Sequence, residues 1–137
     1  MAVMLEMLDV AGGQRVLEVG AGTGYNATLL SHLVGRGGSV TSVDVDPTVT
    51  AAVANLAHAG NDEVEVVTGD GWLGLPSQCF DRMIVIAECW VLSHAWVEQL
   101  VRGGRLVAPL WLRLALTVAV ALEKENGERE RRQWLRP

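Results

Sequence analysis

The chain has 137 residues, half of them hydrophobic, and a formal charge of −5. This length fits one domain with a real core. An acidic balance with no long block of one sign argues against a nucleic-acid-binding face and leaves a neutral or small-molecule partner. Cys79 and Cys89 lack metal-ligand spacing and read as buried thiols of a cytoplasmic protein.

Glu6 and Asp9 interrupt the apolar start and no basic stretch precedes it, so no signal peptide is expected. Met4, Leu5, Met7, Leu8 and Ala11 recur at helical spacing until Gly12-Gly13 stops the helix. Arg15 to Val19 is a short apolar strand with β-branched residues. Tyr25 to Val34 carries an apolar face of Ala27, Leu29, Leu30, Leu33 and Val34, ended by Gly35 and Gly37-Gly38. Ser39 to Val45 is the second strand. Asp46-Pro47 then supplies an N-cap and a first-turn proline for a helix through Ala59, closed by Gly60-Asn61.

Val64 to Thr68 reads as the third strand, Arg82 to Ala87 as the fourth and Arg105 to Leu110 as the fifth. A helix over Leu92 to Val101, closed by Gly103-Gly104, separates the last two. Strands alternating with helices imply an α/β, doubly wound, mostly parallel sheet with helices on both faces. The apolar run from Leu106 to Leu122 is broken by Pro109 and Arg113 and falls short of the ~20 residues of a membrane span, so it reads as two consecutive buried strands. No membrane partner is expected. Leu114 to Glu123, the tight-turn pair Asn126-Gly127 and Glu128 to Leu135 suggest a C-terminal antiparallel hairpin. Its arginines, Arg129, Arg131, Arg132 and Arg136, interleave with Glu128 and Glu130 as on a solvated strand face.

The chemistry concentrates where the first strand ends. Gly20, Gly22 and Gly24 let backbone approach a ligand closely at the carboxyl edge of the sheet. The helix from Tyr25 then offers free N–H groups. Asp44 closes the second strand, the place from which a carboxylate reaches ribose hydroxyls. No Gly-Lys-Ser/Thr follows, which excludes a P-loop. Tyr25 stands where a dinucleotide fingerprint wants glycine or alanine. Glu18, inside the strand end, needs a partner. S-adenosyl-L-methionine, with an amino group and a sulfonium, suits such an acidic edge.

After the third strand comes Gly69-Asp70-Gly71-Trp72. Asp70 could accept an adenine amino group and Trp72 cover the ring, or the four could be an Asp-Gly turn beside a core tryptophan. Glu18, the glycines, Asp44 and Asp70 all fall at carboxyl ends of successive strands, which favours the nucleoside cofactor.

In order and spacing, VLEVGAGTGY, SVDVDP, VVTGDGWLGLP, FDRMIVIA and EQLVRGGRLVAPL resemble class I S-adenosyl-L-methionine-dependent methyltransferases. The closer resemblance is to the protein-L-isoaspartate O-methyltransferase family, over about residues 2 to 110. It implies a Rossmann-like domain over residues 1 to 137. Glu18, Gly20, Ala21, Gly22, Thr23, Gly24 and Tyr25 would cradle the methionine end, Asp44 and Val45 the ribose, and Asp70, Gly71 and Trp72 the adenine. It also implies methyl transfer to the carboxylate of an isoaspartyl or related acidic peptide; the alternative is a cofactor-binding subunit without independent catalysis. In the family a Gly-Gln-Thr-Ile-Ser-like segment before the first helix covers the cofactor and offers a serine to the substrate carboxyl; this chain begins at Met1, just past it, and is expected to be an N-terminally short member.

Two features depart from the family pattern. Glu88, Cys89 and Trp90 stand where the family has small residues, and PLWLRLALTVAVALEK looks more like a branch associated with peptide-modifying gene clusters. His32 and His58 read as structural, whereas His94 could meet substrate. Trp90 and Trp96 could wall a substrate pocket or fill the core.

Overall fold

The structure, a computed structural model, describes residues 2–46, 50–61, 63–112 and 116–125. Its elements are α1 (Ala2–Leu8), β1 (Arg15–Val19), α2 (Tyr25–Val34), β2 (Ser39–Asp44), α3 (Thr50–His58), β3 (Glu65–Thr68), a 3-10 turn (Gly71–Leu73), β4 (Phe80–Val85), α4 (His94–Gln99), β5 (Leu100–Leu112) and β6 (Leu116–Glu123). One sheet runs β3-β2-β1-β4-β5-β6. Its first five strands are parallel, and β6 is antiparallel to β5.

β1 lies inside the sheet with helices on both faces, which is why Val16, Leu17 and Val19 are all buried. One face buries Val16, Ile84 and Val107 under Leu8 of α1, Leu30 of α2 and Leu56 of α3. The other buries Leu17, Met83, Val85 and Leu106 against Trp96 of α4. Strand order reverses at β1, since the chain steps outward to β2 and β3 and then returns to β4 on the other side. A crevice therefore opens beyond the carboxyl ends of these strands.

The doubly wound sheet agrees with the sequence reading; several boundaries do not. α4 ends at Gln99, and β5 starts at Leu100 instead of Arg105. Gly103, at φ 73, and Gly104 form a bulge, where the register with β4 shifts between Phe80 and Arg82. Gly103 N–H donates to the Lys124 carbonyl at 2.7 Å and Lys124 N–H to that of Gly104 at 2.8 Å. A helix stop and a strand bulge both call for glycine, so sequence could not separate them.

The C-terminal antiparallel pair consists of β5 and β6, and β6 is an edge strand with Leu116 and Val118 exposed, so it is not the second buried strand expected. Pro47, Arg113, Asn126-Gly127 and the Glu128 to Leu135 strand with its arginines lie outside the described residues. Cys79 is exposed on the loop entering β4, whereas Cys89 is buried, and that burial raises its thiol pKa. Among the described residues no helix is long and apolar enough to cross a membrane.

Candidate functional site

The glycine loop leaves β1 still tied to β2, with Gly20 N–H donating to the Val43 carbonyl at 2.8 Å. Gly20 has φ 104, and a Cβ there would meet Ile86 Cβ at 3.3 Å; Gly24 has φ 82, and a Cβ would meet the Ala52 carbonyl at 3.1 Å. Positive φ and a tight approach together favour glycine at both. Gly22, at φ 50, has nothing within 4 Å of such a Cβ, so its requirement is conformational and the space beside it is open. Asn55 of α3 donates to the Thr23 carbonyl at 2.9 Å and Ala21 packs on Ala52, which pins the loop to that helix.

Asp44 meets the loop from β2. Its Oδ2 accepts Gly22 N–H at 3.2 Å and its Oδ1 accepts Asp46 N–H at 3.0 Å. After β3, Asp70 caps the 3-10 turn by accepting Trp72 N–H on Oδ1 at 2.9 Å. Gly71 has no room for a side chain, because a Cβ would stand 2.5 Å from Val19 Cγ1. Trp72 is 44% exposed, and the core tryptophan is Trp96, at 2%. That decides against the core reading of Trp72, whereas Trp96 is buried in the core and also backs the crevice at the strand ends.

Gly20, Asp44, Val45, Asp70, Gly71 and Trp72 line one open cleft of about 200 Å³, closed on the far side by Ala87, Glu88 and Cys89. Three carboxylates border this cleft, and no Lys, Arg or His is among the described residues lining it. The volume is below the ~300–1,000 Å³ of typical small-molecule sites, so a nucleoside cofactor would sit partly in the open.

Ala21 through Tyr25 form the loop and helix start beside the cleft without lining it, and Tyr25 is 68% exposed. Glu18 faces the other side of the sheet. It is fully buried, accepts a hydrogen bond from Asn26 Nδ2 at 2.8 Å and another from the Ser42 hydroxyl, and does not line the cleft. Burial raises its pKa to about 7; the Ser42 and Asn26 hydrogen bonds pull down, and the Asp44 charge pushes up. Asn26 Oδ1, buried beside it, has no hydrogen-bond partner among the described residues. The carboxyl joins β1, β2 and the first turn of α2, so it positions the loop from beneath.

Sequence reasoning missed the brace under the Asp70 turn. Ser93 Oγ donates to the Trp72 carbonyl at 2.6 Å, Trp96 Nε1 to that of Gly71 at 2.8 Å and Gln99 Nε2 to that of Leu73 at 2.9 Å. Gln99 Oε1 also accepts Leu75 N–H at 2.8 Å. The Ser-x-x-Trp-x-x-Gln spacing, one helix face, was the available signal. The Trp96 ring meets Trp72 edge-on at 5.5 Å.

The histidines lie elsewhere. His32 and His58 bond the Thr28 and Ala54 carbonyls one turn back, and His94 pairs with Glu98 at 3.2 Å on an exposed helix face. Trp90 lies beside Trp111, their centroids 4.0 Å apart, and is 74% exposed. Among the described residues no cluster of His, Cys, Asp or Glu could hold a metal ion.

A parallel sheet reversing at β1, a glycine loop and acidic residues at the ends of β2 and β3 define a Rossmann-like domain of the class I methyltransferase type. Residues 1–135 match the family model of protein-L-isoaspartate(D-aspartate) O-methyltransferase. The chain belongs to that family. It is 37% identical over 131 residues to protein-L-isoaspartate O-methyltransferase 1 of Archaeoglobus fulgidus, covering 94% of this chain and 60% of that one. It is 40% identical over 111 residues to the Methanosarcina mazei enzyme, covering 80% and 46%. The chain thus spans about half the length of these curated relatives.

Among solved structures, a protein-L-isoaspartate O-methyltransferase superposes with TM-score 0.84 at 34% identity, over 91% of this chain and 40% of that one. A Plasmodium falciparum chain described as the same type of enzyme, in complex with S-adenosyl-L-homocysteine, superposes with TM-score 0.78 at 17% identity, over 91% and 63%, a likeness of fold alone.

Proposed function

We propose that residues 1 to 137 form a single cofactor domain of a cytoplasmic S-adenosyl-L-methionine-dependent O-methyltransferase that methylates the carboxylate of an isoaspartyl or related acidic peptide. The observation that carries this reading is the convergence of Gly20, Asp44 and Asp70 on one cleft without a cation among the described residues lining it, in a chain of this family. An acidic rim complements a cofactor that bears an ammonium group and a sulfonium, and the open space at Gly22 admits backbone contact.

Asp44 can keep its bonds to the loop and still accept from ribose hydroxyls, since each carboxylate oxygen has a second lone pair. Asp70 Oδ2 is available for an exocyclic amino group, Gly71 presents bare backbone, and Trp72 offers a half-exposed ring face. Val45 follows Asp44 on the rim. Glu18, Ala21, Thr23, Gly24 and Tyr25 shape the methionine end, with Glu18 acting through Asn26 and Ser42.

When bound, S-adenosyl-L-methionine supplies an activated methyl group. A carboxylate acceptor has a pKa near 4 and is already ionised at neutral pH, so the chain needs no residue to take up a proton. Its work is to align the acceptor and exclude water.

Calorimetry with S-adenosyl-L-homocysteine and radiolabelled methyl transfer to an isoaspartyl peptide test this together. Binding and transfer, both weakened in Asp44→Ala, are expected. Folded protein that binds no cofactor overturns the reading. Binding without transfer to any carboxyl peptide would reduce it to a cofactor-binding unit.

A further inference from the structure

We propose that Glu88, Trp90 and Trp111 form a docking platform for a positively charged side chain next to the methyl-accepting carboxylate, so that the site selects acidic peptides flanked by lysine or arginine. This rests on the reading of the cleft as a methyl-transfer site and names the acceptor that it takes.

The cleft has two sides. Asp44 and Asp70 occupy the side at the ends of β2 and β3; Glu88 and Cys89 close the other, beyond β4. That second side is tied to β5 at Cys89. Cys89 N–H donates to the Pro109 carbonyl at 3.2 Å, Trp111 N–H donates to the Cys89 carbonyl at 2.9 Å, and Cys89 pairs with Leu110 as an isolated parallel bridge. Extended backbone alternates its side chains, so a buried Cys89 leaves Glu88 and Trp90 outward on either side of it.

Trp90 is 74% exposed, yet its ring rests against Trp111 at 4.0 Å in an edge-to-face pair. Glu88 accepts one long hydrogen bond, from Thr117 at 3.3 Å, and has no ion-pair partner among the described residues. An exposed carboxylate without an ion-pair partner among the described residues, two residues from an exposed indole that is itself packed on a second one, is cation-recognition chemistry. The rim also makes such a cation useful. With ribose on Asp44 and adenine on Asp70, the carboxylate of the cleft lining left facing an acceptor is Glu88, and a cation one residue from the acceptor that engages Glu88 offsets the repulsion between the two.

The test is calorimetric binding, with S-adenosyl-L-homocysteine present, of isoaspartyl peptides that differ only in the neighbouring residue: Lys, Ala, Leu or Glu. The Lys peptide should bind the full chain about fivefold tighter than the Ala peptide. That ratio should fall toward one in 0.5 M salt, in Glu88→Gln and in Trp90→Leu, and Glu88→Lys should favour the Glu peptide. Both side chains are exposed, so none of these variants removes core, and taking each ratio within one variant cancels any general loss of affinity.

Equal affinities for the four peptides overturn the proposal, as do a preference for Leu over Lys, a Lys preference that survives both Glu88→Gln and Trp90→Leu, and no measurable peptide binding. Binding does not require turnover, so failure of the transferase reading shows separately, in the radiolabel assay.

Discussion

Glu18 and Ser42 are register partners across β1 and β2, and the Ser42 hydroxyl donates to the Glu18 carboxylate in a fully buried site. With Asn26 on the opposite oxygen, this one carboxyl group ties together the three elements that frame the glycine loop. Burial is the largest influence on it and raises its pKa to about 7, from 4.5.

A stability change with pH follows, opposite in sign to that of a salt-bridged carboxylate. The folded state holds the Glu18 proton more tightly than the unfolded chain, so the contribution is complete below about pH 4.5 and is lost as pH rises through about 7. Its size is on the order of 3 kcal/mol. Thermal midpoints measured from pH 5 to 8 should fall more steeply for the wild type than for Glu18→Gln. Parallel profiles would show that Glu18 does not titrate in this range.

The glycine loop separates tight packing at Gly24 from open space at Gly22. Gly24→Ala should cost about 2 to 4 kcal/mol of stability, because a left-handed backbone is combined with a 3.1 Å approach to the Ala52 carbonyl. Gly22→Ala meets nothing within 4 Å and should cost only about 1 kcal/mol, from φ 50 alone. If the open space at Gly22 receives the cofactor, Gly22→Ala will lower cofactor affinity at least tenfold in calorimetry while shifting the melting midpoint little. Unchanged affinity would remove Gly22 from the binding surface.

The parallel core and the loop were legible because local signals there agree. Val16, Leu17 and Val19 form an apolar run stopped by glycine, Asp44 ends β2, and Asp70 follows β3 by two residues. The start of β5 was not, since Gly103-Gly104 serves a bulge as well as a helix stop. Glu18 could be recognised as needing a partner, but the partners depend on β1–β2 register and on the direction of α2. The α4 brace was hidden for the same reason: Ser93, Trp96 and Gln99 bond carbonyls 21 to 26 positions away.

That brace makes a prediction for Trp96. Trp96→Phe keeps most of the buried ring but removes the donor to the Gly71 carbonyl, and should cost about 1 to 2 kcal/mol. It should also weaken cofactor binding several-fold, since the Asp70-Gly71-Trp72 turn loses the α4 brace that reaches Gly71 while Ser93 and Gln99 still hold Trp72 and Leu73. Addition of S-adenosyl-L-homocysteine should then raise the melting midpoint less than in the wild type. An equal rise in both proteins would show that the Asp70 turn holds its shape without Trp96.

Asp44 offers the sharpest division between fold and function. Its two backbone hydrogen bonds lie at an exposed edge, and Asp44→Asn keeps a carbonyl oxygen to accept one of them, so stability should change by no more than about 0.5 kcal/mol. Ribose hydroxyls donating to an ionised carboxylate make charge-assisted bonds, about twice as strong as neutral ones. Removing that charge should raise the dissociation constant for S-adenosyl-L-homocysteine by about tenfold, and Asp44→Ala by more. The comparison with Asp70→Asn is informative because Asp70 already spends one oxygen on capping Trp72, so its substitution should lower both stability and affinity. An Asp44→Asn protein with wild-type affinity would move the ribose away from β2 and take the observed cleft out of the cofactor reading.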